Sequence, residues 1–322
     1  MTAAANRASQ RLRTDRVLIM DDATFRQALH KLEVDEPLDR EEWEALSALV
    51  DDRLGRFRAL WERLPVTQRL DLLEALHEQS EQHAHLDYTP IWNLGLHDSA
   101  AHVRALAITC AADEDGEWLI DPLIRLCVGD VDQSVRAAAA DALGRFAYLA
   151  EVGTLSERRG RQIEDALLAT YARSDEAPVV RGNALASAGY FSTARVRETI
   201  LAALADAELR PSAIRAMGRT ADPSWLDLLL QETSSPRAVL REEAARALGE
   251  LEDERGVSRL LELLDDPAPN VRLAAIWALG AIGGEEAQEG LIYCLEDPLE
   301  AVREAAEAAL AEIADRNAPL DL

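Results

Sequence analysis

Along residues 271–284, "VRLAAIWALGAIGG", apolar and small residues fall three and four apart, the interval that gathers side chains on one face of an α-helix. Thirty-one residues later the chain reads "VREAAEAALAEIA", and thirty-one earlier it reads "LREEAARALGELE". Counted from the arginine of the central copy, Arg272 is followed by Ala275 at +3, Ala278 at +6, Leu279 at +7 and Gly280 at +8. The same template fits Arg241, Arg303, Arg210 and Arg136, and more loosely Arg181 and Arg104. Successive steps between these arginines are 32, 45, 29, 31, 31 and 31 residues. The long step predicts an insertion near residues 151–161, "EVGTLSERRGR".

Positions −1, +3, +6, +7 and +10 form one stripe of the predicted helix. Small residues at +3 and +6 let a neighbouring helix come close, and glycine at +8 extends that contact despite its cost of about 1 kcal/mol relative to alanine. Between copies runs a second amphipathic segment, as in "DPSWLDLLLQE", "ERGVSRLLELLDD" and "EEAQEGLIYCLED". Asp-Pro pairs at 222–223, 266–267 and 297–298 mark turns and helix starts. Each unit therefore reads as helix A, turn, helix B. One such pair leaves an apolar face open, and stacking of successive pairs closes it. The predicted fold is an all-α, right-handed solenoid of about seven or eight helix pairs.

These "D-P-x-x-x-V-R-x-x-A-x-x-A-L-G" units resemble HEAT repeats of the short bacterial type, as in phycobilin-lyase-like HEAT proteins. The resemblance covers about residues 86–315 and is plainest from residue 200 onward. Residues 39–82 look like a diverged first pair. There "DREEWEALSALVDDRLGRFRALWERL" reads as one long helix, and "VTQRLDLLEALHEQ" sets Arg69, Leu72, Ala75 and Leu76 on the template. The domain reading is an N-terminal arm over 1–38, a solenoid over 39–315 and a C-terminal tail over 316–322. The arm begins with a flexible basic stretch, four Arg and one Asp in residues 1–16, and carries a short helix over residues 24–32.

Charge narrows the functions. The net charge is −25, and Lys31 is the only lysine. Such a surface repels nucleic acid and anionic lipid, which sets aside the basic groove of HEAT-like DNA glycosylases. No apolar run approaches the roughly 20 residues of a membrane span, and the cluster from Val17 to Met20 is too short for a secretory signal. Cys110, Cys127 and Cys294 form no C-x-x-C motif and read as reduced thiols, so the expected compartment is the cytoplasm.

Candidate chemistry is sparse. There is no phosphate-binding loop, no Gly-rich dinucleotide turn and no G-x-S-x-G. "GAIGG" at 280–284 reads as a helix end. His77 with Glu78 on a helix, and His83, His85 and Asp87 beyond it, are the weak metal candidates; the simpler reading is a polar helix end and a solvated loop. Deoxyhypusine hydroxylases, HEAT enzymes similar in architecture, hold two irons with several His-Glu pairs, whereas this chain has one. No metal or cofactor is expected.

The template arginines Arg104, Arg136, Arg181, Arg210, Arg241, Arg272 and Arg303 read as a ladder tying turns together through nearby Asp130, Asp132, Asp265, Asp266 and Asp297. By the resemblance, helix B lines a concave surface. Read across copies at +1, +4 and +5, that surface is mostly small or charged, and Leu273, Ile276 and Trp277 stand out as an apolar group. With Ile214, Arg215 and Arg246 they form the candidate partner site, since Trp and Arg favour interfaces. The expected function is a non-catalytic scaffold or adaptor binding another protein. The alternative is an accessory or enzymatic HEAT protein of the phycobilin-lyase or deoxyhypusine-hydroxylase kind, acting on a protein substrate.

Overall fold

A computed structural model describes residues 22–317; the basic stretch over 1–16 and residues 318–322 lie outside the described residues. Among the described residues there are 18 α-helices and no strand. The chain divides into two compact units, Met1–Pro122 and Leu123–Leu322.

In the first unit, α1 (Asp22–Glu33), α2 (Arg40–Ala45) and α3 (Asp51–Trp61) precede α4 (Val66–Gln82), α5 (Thr89–Gly95) and α6 (Ala101–Cys110). The helix expected over 24–32 falls within α1, but α1 is no loose arm. Phe25 and Ala28 are fully buried, and α1 packs on α2 and α3. The single long helix expected after residue 39 is also corrected, because the chain breaks between α2 and α3. Ala48 and Asp51 take φ of 51° and 47°, left-handed values that a helix cannot continue through. The break lets Leu46 and Leu49 both turn inward. It is pinned by the Ala48 N–H donating to the Asp87 carbonyl at 2.6 Å and the Asp87 N–H donating to Ser47 Oγ at 2.8 Å. Rings dominate this core: Phe57 beside Trp61, and Tyr88 edge-on to Trp92.

The second unit is more regular. A helices α7 (Ile120–Gly129), α9 (Glu157–Ala172), α11 (Ala194–Ala203), α13 (Leu226–Glu232), α15 (Val257–Leu263) and α17 (Glu285–Cys294) alternate with B helices α8 (Gln133–Glu151), α10 (Pro178–Ala188), α12 (Arg210–Arg219), α14 (Ala238–Leu251), α16 (Pro269–Ile282) and α18 (Glu300–Asn317). The predicted insertion is mostly helix. Only residues 152–156 lie between α8 and α9, and the surplus lengthens those two helices to 19 and 16 residues. The extra turns are amphipathic, burying Phe146 and Ala147 on one and Gly160 and Ile163 on the other, so they continue the core. At the far end α18 runs past the expected boundary at 315, and Arg316 Nη1 donates to the Ala281 carbonyl at 2.8 Å.

The largest interfaces join successive B helices, while A helices touch one another far less. Their closeness has a specific cause. A Cβ on Gly249, at +8 of α14, would lie 2.8 Å from Ala278 Cα, at +6 of α16. A Cβ on Gly189 would meet Ala216 Cα at 2.7 Å, one on Gly218 would meet Ala247 Cα at 2.7 Å, and one on Gly280 would meet Ala309 Cβ at 2.9 Å. In these four pairs the +8 glycine of one helix receives the +6 alanine of the next, and Gly144 meets Ser187 at the same place. Gly249→Val should cost roughly 1–3 kcal/mol through overpacking. Gly55, inside α3 with nothing within 4 Å of an added Cβ, is the control. Gly55→Ala should stabilise by about 0.5–1 kcal/mol through helix propensity. Denaturant melts of the two variants that moved in the same direction would rule out this account of the stack.

Candidate functional site

The turn between helices A and B is built from one repeated polar device. At Asp266 the carboxylate accepts from the backbone N–H of Ala268 at 2.8 Å, closing the turn. The carbonyl of Asp266 accepts from Arg272, six residues on, at 2.9 Å. Its carboxylate also takes both donors of Arg241, from the preceding B helix, at 2.6 and 2.7 Å. Asp297 repeats the pattern with Leu299, Arg303 and Arg272, the last at 3.2 Å. In the first unit Asp98 serves Ala100, Arg104 and Arg69, and Trp61 Nε1 adds a fourth donor at 2.7 Å.

The remaining arginines vary the theme. Arg136 reaches the Asp130 carbonyl and clasps Glu176 at 2.7 Å through each of two nitrogens. Arg210 reaches the Leu204 carbonyl and Glu232. Arg181 departs furthest, donating to the Tyr171 carbonyl at 2.9 Å with Asp206 at 4.0 Å. Asp132 and Asp265 are not rungs: Asp132 caps α8, and Asp265 accepts from the Tyr293 hydroxyl. Charge pairing dictates the titration. The Arg136 guanidinium holds the Glu176 carboxyl below its ordinary range. Burial pushes Asp266 upward, but Arg241 and the Ala268 N–H outweigh it and hold that carboxyl low.

With the turns fixed, the B helices show what they leave outside. Ile214 and Ile276 belong to the core, being 0% and 1% exposed, which removes both from the candidate site. Position +4 packs inward because each B helix is flanked on both sides, and one flank takes +3 while the other takes +4; Ala140, Leu185 and Ala245 are buried there too. Leu273 is half-buried. Trp277 is 44% exposed, with the inner edge of its indole against Gly249. Arg246 is exposed and loosely paired with Glu242 at 3.4 Å, whereas Arg215 is clasped by Glu243.

One helical turn further, the structure adds residues that the +1, +4, +5 reading passes over. Tyr190, Arg219 and Glu250 occupy +9 of three consecutive copies. The Arg219 guanidinium lies 4.9 Å over the Tyr190 ring, and Tyr148 stacks edge-on to Tyr190 at 5.8 Å. Glu250 Oε2 leans on Gly218, where a side chain would collide with it. Arg219 Nε, Arg219 Nη1 and Glu250 Oε2 are all buried without a hydrogen-bond partner. Burial pushes the Glu250 carboxyl up to about 7, with Arg219 drawing it back and Glu243 adding to the rise.

A HEAT-repeat family model matches residues 226–311, and a single HEAT-repeat model matches residues 119–150. This chain carries HEAT repeats over those residues. No curated protein matches it. Among solved structures, human deoxyhypusine hydroxylase in complex with glycerol is 19% identical, with a TM-score of 0.36 over 82% of this chain and 96% of that one. An engineered protein is 22% identical, at 0.38 over 61% and 96%. A chain of the Kap95:Nup1 complex is 14% identical, at 0.48 over 92% of this chain and 46% of its own length. These likenesses concern fold alone.

The three candidate histidines lie in the first unit. His77 lies 3.7 Å from Glu81 on α4, and the His83 and His85 rings are 5.9 Å apart in the segment that follows. Among the described residues no group of three or more His, Cys, Asp or Glu is arranged to hold a metal. All three cysteines are buried, and burial raises their thiols, Cys110 to about 12 and Cys127 and Cys294 to about 11.

Two predictions follow from HEAT-repeat electrostatics. Arg241→Met leaves Asp266 buried without its partner and should cost about 3–5 kcal/mol, whereas Arg246→Met, at an exposed pair, should cost less than about 1 kcal/mol. Equal denaturation midpoints for these variants would contradict the ladder. Glu250 works with the opposite sign. Its folded pKa stands above the ordinary 4.5, so the folded state holds the proton more tightly and stability falls as pH rises from 4.5 to 7. Glu250→Gln should therefore stabilise the protein at pH 8, by on the order of 1–3 kcal/mol, and leave it unchanged near pH 4. Paired melts at the two pH values provide the measurement.

Proposed function

We propose that this protein is a non-catalytic scaffold that binds another protein on its helix-B face, centred on Trp277 with Leu273, Arg246 and Arg215 around it. The observation that carries this reading is the half-exposed Trp277 indole. The stack places small or charged residues at +5 elsewhere, among them Asp141, Ala186, Arg215, Arg246 and Ala308, so an indole there is not needed for packing. Aromatic side chains left partly in water on a rigid face are typical interface anchors. Helix packing holds the ring in place, which lowers the entropy lost on binding.

Electrostatics favours partners that are basic or apolar over nucleic acid, since −25 charges act at long range against a polyanion. Among the described residues no helix is long and apolar enough to cross a membrane. The cytoplasmic setting remains part of this proposal, and buried reduced thiols are consistent with it.

Trp277→Ala should leave the fold nearly intact and weaken partner capture by about 2 kcal/mol or more. The measurement is paired: a denaturant melt of the variant, and quantitative affinity capture from the native host with wild-type and variant protein side by side. A loss of about 3–5 kcal/mol in stability would make Trp277 core, and undiminished capture would remove it from the interface.

A further inference from the structure

Where α1 gives way to α2, the first unit leaves a groove of about 140 Å³ against α4. Its floor is apolar, lined by Leu32, Leu38, Trp43, Leu64 and Leu72, the last two almost fully buried. On α4, Gln68, Asp71, Leu72 and Ala75 fall three and four apart and so turn one side to it. The charged lining is acidic throughout: Asp35, Glu36 and Asp71 are all exposed, and no Lys or Arg joins them. Among the described residues none of these three carboxylates has a side-chain hydrogen bond or an ion pair. Lys31 is taken by Glu42 at 2.8 Å and Asp39 at 3.8 Å, and feels Glu36 only at longer range. An apolar groove rimmed by unmatched carboxylates suits an aliphatic side chain flanked by cations.

Residues 1–21 lie outside the described residues, and their sequence carries that pattern. Leu12 is the one large apolar side chain among residues 2–16, and it stands between Arg11 and Arg13, with Arg7 and Arg16 further out and Asp15 the single acid. In a chain of 34 basic and 59 acidic residues this stretch reverses the sign. The tether is long enough. Leu32 lies ten residues beyond Asp22, the start of α1, or roughly 15 Å at 1.5 Å per residue. Leu12 lies ten residues before Asp22, a length that spans up to about 33–36 Å when extended. We infer that residues 7–16 fold back along α1 and occupy this groove, with Leu12 on its apolar floor and Arg11 and Arg13 against Asp35, Glu36 and Asp71. Because the segment belongs to the same chain, it meets the groove at high effective concentration, and modest contacts suffice. Docking closes an apolar surface that would otherwise stand open to other chains. It uses residues of the first unit alone and stands independently of the Trp277 reading.

Hydrogen exchange of the full chain, read by mass spectrometry, tests the docking. Amides of residues 10–14 should exchange about tenfold or more slowly than in a synthetic peptide of residues 1–21. That protection should vanish in Leu12→Ser, in Arg11→Gln with Arg13→Gln, and in Asp35→Asn with Asp71→Asn. The rim substitutions keep side-chain shape, and asparagine tolerates the left-handed φ of 61° at residue 35. Melts by circular dichroism confirm that each variant is folded. Glu78→Gln with Glu81→Gln removes two exposed charges from α4 outside the groove and should leave the protection intact. Exchange at the free-peptide rate in the wild-type chain overturns the proposal. Protection that survives Asp35→Asn with Asp71→Asn places the segment elsewhere and overturns it as well. Protection lost equally in the Glu78 and Glu81 pair makes overall charge, not this groove, the cause. Protection that rises with protein concentration assigns the segment to the groove of a second copy and overturns the fold-back.

Discussion

The contact between a +8 glycine and the +6 alanine of the next B helix governs the second unit. It brings backbones so close that a single methyl group at Gly189, Gly218 or Gly249 would collide with main-chain atoms. Dispersion at that range is collectively strong, and small residues lose little side-chain entropy when packed. The contact also fixes translation. Once Gly249 is seated on Ala278, the helix cannot slide by a turn without driving Leu248 or Leu279 into the backbone opposite. Every other relation across the stack inherits that register.

The arginine ladder is one such relation. Its arginines reach back six residues to a turn carbonyl and, in most copies, forward to a carboxylate of the following pair. That reach works only if the helices are set in a constant offset. The ladder in turn settles a problem that close packing creates. Carboxylates such as Asp98, Glu176 and Asp266 are buried at the turns, where an unpaired charge would be prohibitive. Bidentate arginine meets that need with a planar fork, which a lysine would not supply. The near absence of lysine from the chain and its abundance of arginine fit this use.

Much of the fold was legible because repetition multiplies a weak signal. One "VRxxAxxALG" helix says little, but copies at 31-residue steps exclude most alternatives. The first unit was harder to read, since its aromatic core lacks the repeat and the break at residues 46–50 depends on a distant partner, Asp87. On the candidate face, the flanking of each B helix from both sides was invisible in a single-helix pattern. That is why Ile214 and Ile276 looked exposed, whereas Trp277, one position on, keeps 44% of its surface in water. Arg219, Glu250 and Tyr190 were missed for a different reason. They share position +9 but differ in chemistry, and a search for recurring residue types passes over such a row. Lining up that row and asking which copy breaks the pattern was the signal available.

Repeat proteins separate the residues that make the stack from those that use it. The recurring alanines, glycines and arginines are spent on neighbours, although Arg69 and Arg272 each keep a buried Nε without a hydrogen-bond partner. Arg219 and Glu250, on adjacent B helices, also keep buried atoms without partners, and neither belongs to the recurring set. Helix propensity does not require them, since alanine or leucine would serve better at either site. Core packing does not either, because both remain half-buried. The Arg219 guanidinium rests on the Tyr190 ring and Glu250 Oε2 lies against Gly218. Residues of this kind change from copy to copy, which sets them apart from the recurring set that makes the stack.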